Sequence, residues 1–147
     1  MKNIQVKDEN ENTISLSQFK GKKVVLFFYP KDNTSGCTIE AKEFTEKKDI
    51  FKAENTVILG ISKDSIKSHQ NFIKKQDLKV TLLSDPDMEL IQACDVWKEK
   101  MNYGKKYMGI VRTTILFDEE SNIIKRWDKV RVKGHVDEVL NTIKEGA

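Results

Sequence analysis

Two short stretches of this chain carry almost no polar residues: KVVLFFY at 23–29 and TVILGIS at 56–62. A strand with one face in water alternates apolar and polar side chains. A near-continuous run of Val, Ile, Leu and Phe predicts instead a strand covered on both faces. Such strands lie in the middle of a sheet with helices packed above and below, which confines the chain to a layered α/β architecture.

The remaining pattern agrees with that frame. TISL at 13–16, VTLLS at 80–84 and TTILFD at 113–118 also read as strands. Between them helical spacing appears. Cys37, Ala41, Phe44 and Phe51 fall on one face, as do Ile66, Phe72 and Ile73 in a segment with Ser62 or Asp64 as its cap, and Val136, Val139, Leu140 and Ile143 near the end. TTILFDEESNIIKRW at 113–127 predicts a hairpin, so the central sheet is expected to be mixed and flanked by helices. With 147 residues, no internal repeat and no low-complexity linker, residues 1–147 are expected to form a single domain.

Charge narrows the function. The chain has 26 basic and 23 acidic side chains, interspersed rather than gathered in a stripe, which argues against a nucleic-acid partner. The densest basic stretch, KEKMNYGKK at 98–106, reads as a solvated face, with anion binding as the other option. No apolar run approaches the roughly 20 residues of a membrane span, so no membrane partner is expected. The first residues lack the apolar core of a secretory signal, and the expected location is cytoplasmic. In that compartment thiols stay reduced, and Cys37, Cys94, His69 and His135 show no zinc-ligand spacing, so neither a structural disulfide nor a metal site is expected.

Cys37 is the residue with chemistry to offer. The apolar strand ends at Pro30, Thr34 and Ser35 are good helix caps, and a helix starting near Ser35 or Gly36 puts the thiol in its first turn. An ordinary thiol with a pKa of about 8.5 is only about 3 % ionised at pH 7. Unpaired N–H groups and the positive end of a helix favour the reactive anion. A small buried apolar cysteine is the plain alternative.

YPKDNTSGCTIEA resembles the active-site loop of the peroxiredoxins, Pro-x-x-x-Thr/Ser-x-x-Cys, and in particular the bacterioferritin comigratory protein or PrxQ subfamily. The resemblance runs from about Thr13 to Ile143, through SLSQFKGKKVVLFFYPKD, SDP, VWKEK, YGKKYMGIVRTTILFD and the last helix. It implies a thioredoxin fold of the peroxiredoxin type. It also implies reduction of hydrogen peroxide and organic hydroperoxides without metal, haem, flavin or other cofactor, with thioredoxin or another thiol as reductant. Cys37 would be the peroxidatic cysteine that becomes a sulfenic acid. Thr34 would hydrogen-bond peroxide and thiolate, Pro30 would shield the thiolate from water, and Arg112 in GIVRTTILF matches the active-site arginine. Glu40, one turn after Cys37, could hold the Arg112 fork in place. Tyr29 and Phe28 are expected to line the pocket or core, and Trp97 to pack.

The chain departs from the subfamily where many members place a second cysteine, five residues after the first; here stands Lys42. A sulfenic acid without an internal partner must be reduced by an outside thiol or be oxidised further. Cys94, on an expected helix within DMELIQACDVW, is the only internal resolving candidate, and a one-cysteine mechanism is the expectation. Glu40 in place of a second cysteine rules out a Cys-x-x-Cys disulfide oxidoreductase. A non-catalytic redox sensor acting through Cys37 is the alternative of another class. His69 and His135 are read as ordinary surface residues on helices.

Overall fold

The computed structural model describes residues 3–146. Its order is β1 (Val6–Asp8), β2 (Thr13–Ile14), a 3-10 turn (Leu16–Phe19), β3 (Lys23–Phe28), α1 (Ser35–Ala53), β4 (Thr56–Ser62), α2 (Ile66–Gln76), β5 (Thr81–Ser84), α3 (Glu89–Ala93), β6 (Trp97–Asn102), β7 (Lys105–Ile110), β8 (Thr113–Phe117), β9 (Ile123–Trp127) and α4 (His135–Lys144). Seven strands form one sheet in the order β2-β1-β5-β4-β3-β8-β9, and β6 pairs with β7 alone. Strands β3, β4 and β5 are parallel, whereas β8 and β9 add antiparallel to the β3 side. The sheet is therefore mixed and flanked by helices, as expected.

The two apolar runs are the centre of that sheet, and their alternate residues face different cores. Val25, Phe27 and Tyr29 pack with Cys37, Ala41, Phe44 and Phe51 of α1, Phe72 of α2 and the apolar stripe of α4. Val24, Leu26 and Phe28 pack on the opposite face with Leu16, Leu90, Ile91, Cys94, Val96 and Ile110. Burying both faces is what made these strands legible as continuous apolar runs. Gly60 in β4 has a steric reason: a Cβ built there would lie 2.6 Å from Phe27 Cζ and 2.8 Å from Leu82 Cδ2. The Phe27 ring thus lies across β4 and stacks on Phe44 of α1 at 4.7 Å between centroids.

Several details differ from the sequence reading. The expected strand at 13–16 shortens to two residues before the 3-10 turn, and β1 was not foreseen because three residues carry too little pattern. The α2 cap is Ser65, whose Oγ accepts from the Ser68 N–H; Ser62 and Asp64 serve the loop after β3 instead. The expected helix around Cys94 is only Glu89–Ala93, with Cys94 at its C-cap. The basic stretch at 98–106 is exposed, but as the β6–β7 hairpin, turned at Tyr103 and Gly104, both with positive φ. His69 and His135 are not surface residues: they are 0 % and 4 % exposed. His69 lies on the inner stripe of α2 with Ile66, Phe72 and Ile73, a spacing that carried the signal.

If Phe27 over Gly60 joins the two layers, Gly60→Val should destabilise the protein by about 1–3 kcal/mol, since neither the ring nor Leu82 has room to withdraw. A lower urea midpoint with an unchanged m-value would show this, and an unchanged midpoint would contradict it.

Candidate active site

Strand β3 delivers the site. Its last backbone tie to the sheet is Tyr29 N–H to Ile61 O at 3.1 Å, after which Pro30 turns the chain into the loop that precedes α1. Helix α1 then begins at Ser35, with Thr34 at the N-cap position and Thr38 N–H bonded to Thr34 O at 2.9 Å. The Thr34 hydroxyl does not cap the helix; it donates to Lys31 O at 2.9 Å, closing the loop on itself. Cys37 sits in the first turn, where backbone N–H groups lack helical partners, and is 1 % exposed.

Arg112 reaches the same point from the other side. In the β3–β8 pairing Phe28 lies opposite Thr113, so residue 112 falls where β3 ends, however distant it is in sequence. Arg112 Nη2 donates to Cys37 Sγ at 3.2 Å, while Nη1 donates to Glu40 Oε1 at 2.7 Å. One planar fork thus bridges the thiol and a carboxylate one helical turn apart. Gly36 makes the approach possible: a Cβ there would meet Arg112 Nη2 at 3.2 Å. The sequence reading missed Gly36, because nothing local marks a helical glycine as the floor of a guanidinium.

The structure makes Glu40 the arginine's partner and buries it completely. Burial drives its carboxyl up to about 7, against the opposing pull of Arg112, and Oε2 has no hydrogen-bond partner among the described residues. On Arg112 burial works against the charge, but Glu40 and Cys37 outweigh it and leave the guanidinium more firmly protonated than usual. Behind it, His135 shares a 2.8 Å hydrogen bond with Thr114, and burial lowers its pKa to about 4, so it adds no charge at neutral pH.

The second cysteine is elsewhere. Cys94 is free and buried among residues on the opposite face of the sheet from Cys37, and burial pushes its thiol up to about 11, with Arg126 opposing. Lys42 is exposed on α1. Trp97 is half-buried at the start of β6, with Lys63 Nζ 4.8 Å from its ring, and Tyr29 and Phe28 are core residues. Beside Pro30 runs a groove of about 290 Å³ lined by Lys31, Lys63, Trp97, Tyr107 and Met108. A cavity of similar size between Lys22, Lys52 and Thr81 lies at the other ends of the strands, away from the thiol. Among the described residues no helix is long and apolar enough to cross a membrane.

A buried thiol in a helix's first turn, bridged by arginine to a buried carboxylate on a thioredoxin-type sheet, defines the peroxiredoxin class of thiol peroxidases. Residues 1–126 match the AhpC/TSA family, and the chain belongs to that family. It is 47 % identical over 142 residues to the peroxiredoxin Bcp of Bacillus subtilis, covering 97 % of this chain and 90 % of that one. It superposes on the bacterioferritin comigratory protein of Xanthomonas campestris, a protein studied for alkyl peroxide reduction, with a TM-score of 0.93 at 40 % identity, covering 98 % and 92 %. Peroxidoxin BcpB from Mycobacterium tuberculosis gives a TM-score of 0.86 at 27 % identity over 98 % and 93 %.

The raised Glu40 carboxyl makes a signed prediction. A carboxyl whose folded pKa exceeds its unfolded one favours the folded state fully below the unfolded value, about 4.5, and loses that contribution as pH rises through about 7. The stability of the wild type minus that of Glu40→Gln should therefore fall between pH 4.5 and 7, by on the order of 3 kcal/mol. Denaturant titrations of both proteins across this range check it; a difference that is flat or rises with pH would contradict it.

Proposed function

We propose that this chain reduces hydrogen peroxide and organic hydroperoxides through Cys37, by a one-cysteine cycle completed with an external thiol. The observation that carries the reading is the 3.2 Å contact of Arg112 with Cys37 Sγ, inside the first turn of α1. A sulfur anion there has a fixed positive charge beside it and unpaired N–H groups around it.

In the first step a sulfur lone pair attacks the terminal oxygen of the hydroperoxide. The S–O bond forms as the O–O bond breaks, giving Cys37 sulfenic acid and an alkoxide, or hydroxide from hydrogen peroxide. The departing oxygen takes up the proton that the thiol released on ionising. Negative charge moves from sulfur to the leaving oxygen, so a guanidinium reaching both stabilises the transition state more than the ground state. Glu40 fixes the guanidinium; in this reading Pro30, in the loop before α1, excludes water, and the Thr34 hydroxyl hydrogen-bonds the peroxide on leaving Lys31 O. The groove beside Pro30 gives an organic tail apolar and aromatic surface from Trp97, Tyr107 and Met108.

The second step consumes two external thiols. The first displaces water from the sulfenic acid to form a mixed disulfide, and the second releases Cys37 and leaves as a disulfide. Thioredoxin or a comparable cytoplasmic thiol suits this role. An internal bridge to Cys94 is disfavoured, because the two cysteines pack on opposite faces of the sheet and disulfide geometry needs their Cα atoms within about 7 Å.

Arg112→Lys, which keeps a charge but loses the fork, is expected to slow oxidation of Cys37 by roughly 100- to 1000-fold in stopped-flow measurements with hydrogen peroxide. Cys94→Ser should turn over with dithiothreitol or thioredoxin at the wild-type rate. A Cys94→Ser protein that stops after one turnover would show that Cys94 is the resolving cysteine.

A further inference from the structure

The net charge of the chain sits on one small element. Residues 97–110, the β6–β7 hairpin, hold four lysines, Lys98, Lys100, Lys105 and Lys106, against the single acid Glu99. With 26 basic and 23 acidic side chains in all, the rest of the chain is balanced, 22 against 22. Lys31 and Lys63 add two exposed ammonium groups at the groove beside Pro30. The hairpin also concentrates exposed apolar surface. Tyr103 is 98 % exposed, Met101 66 %, Met108 53 % and Tyr107 44 %, and among the other described residues only Ile39, Ile50 and Ile123 are large apolar side chains left in solvent.

Strands β6 and β7 pair with each other and with no strand of the central sheet, so most of the ribbon stays in solvent. Its pairing sets Lys100 opposite Tyr107 and Met101 opposite Lys106, which mixes cation and apolar surface along its length. At its root Lys100 Nζ donates to Ile110 O at 3.0 Å, and Gly109 leaves room for the Lys100 stem and the Tyr107 ring, which a Cβ would approach to 3.1 and 3.3 Å. Lys98 pairs with Asp95 at 3.7 Å, whereas the ammonium groups of Lys105 and Lys106 have no hydrogen-bond or ion-pair partner among the described residues. Arg112, which touches Cys37, follows Ile110 by two residues, so the hairpin is rooted beside the reacting sulfur. The buried cluster of Asp32, Ser68 and His69, by contrast, is closed on itself: Asp32 Oδ2 lies 2.8 Å from His69 Nδ1 and accepts from Ser68 Oγ at 2.7 Å.

We propose that the β6–β7 hairpin, with the groove at its root, is the docking surface for an acidic protein reductant: a dithiol protein whose reactive thiol is bordered by carboxylates, and which supplies the two thiols consumed in the second step. This rests on the peroxidase reading above. A small thiol needs no surface of its own, but a protein thiol must be held where Cys37 is, and the surface there carries the surplus positive charge. Opposite charges across such a contact raise the association rate and reject like-charged partners. The same repulsion argues against a second copy of this chain, which would set lysines against lysines. Exposed Tyr and Met between the lysines supply the apolar centre that a contact of this kind uses, and Met adapts to the shape it meets. Steering acts on the protein thiol alone, because dithiothreitol carries no net charge to be steered.

Two double variants of the full chain test this. Lys105→Glu with Lys106→Glu reverses two cations that hold nothing in the fold, and Lys105→Arg with Lys106→Arg keeps both charges. Each protein, oxidised by hydrogen peroxide, is mixed with reduced thioredoxin of net negative charge, and the return of the Cys37 thiol is followed by quenched-flow mass spectrometry. The second-order rate constant is expected to fall about 10-fold in the glutamate variant and to stay at the wild-type value in the arginine variant. Raising salt from about 0.02 to 0.3 M should slow the wild type by a similar factor and leave the glutamate variant unchanged. Reduction by dithiothreitol and oxidation by hydrogen peroxide should be the same in all three proteins. Equal thioredoxin rates in wild type and glutamate variant, or thioredoxin and dithiothreitol rates that fall together, would overturn the docking surface. So would an unchanged thioredoxin rate in a glutamate variant that has lost a wild-type dimer in sedimentation, or lost wild-type binding to phosphatidylglycerol vesicles. Cys37 that peroxide leaves unmodified would overturn the peroxidase reading. The docking is then decided without peroxide, by titrating the reduced protein with thioredoxin: backbone amide shifts in 97–110 that the glutamate variant lacks support the surface, and their absence overturns it.

Discussion

Everything at the candidate site depends on one register. Because Phe28 of β3 pairs with Thr113 of β8, the arginine just before β8 meets the cysteine just after β3. The backbone sets this meeting, not the side chains. Two strands from distant parts of the chain end at the same level, and a guanidinium spans the remaining gap. A slip of one residue would turn Arg112 to the other face and leave Cys37 and Glu40 buried without a positive charge.

Burying Glu40 and most of Arg112 costs desolvation that their attraction does not fully return, as the raised Glu40 carboxyl indicates. The orphaned Oε2 belongs to the same cost. What the pair obtains is position. The guanidinium is held by one nitrogen so that the other points at sulfur, and Gly36 leaves the space for it. Strain of this kind is expected where chemistry, rather than stability, selects the residues.

The central strands, the hairpin at 113–127, the three longer helices and the placement of Cys37 in a helix's first turn were all legible in the sequence. Each is written in contiguous residues: continuous apolar runs, a polar turn between apolar strands, and 3.6-residue stripes. Arg112 was legible only through family resemblance, since no local pattern says which strand start lies beside which helix. His69 and His135 were misread as surface, although His69 shares a stripe with Phe72 and Ile73. Its partner Asp32 lies in a loop on the far side of β4, and a single sequence does not encode that pairing locally. The β6–β7 hairpin escaped because its strands are solvated, so they lack the apolar alternation that reveals a strand. The fold and family agree with the resemblance from YPKDNTSGCTIEA onward.

The central claim is that Cys37 alone takes oxygen from peroxide and keeps it until an outside thiol arrives. Intact mass of the fully reduced protein, quenched soon after one equivalent of hydrogen peroxide, tests it most directly. The account predicts a gain of about 16 Da, lost in Cys37→Ser and retained in Cys94→Ser. A loss of about 2 Da would mean an internal disulfide and contradict the one-cysteine cycle, and no mass change at all would contradict peroxidase chemistry at Cys37.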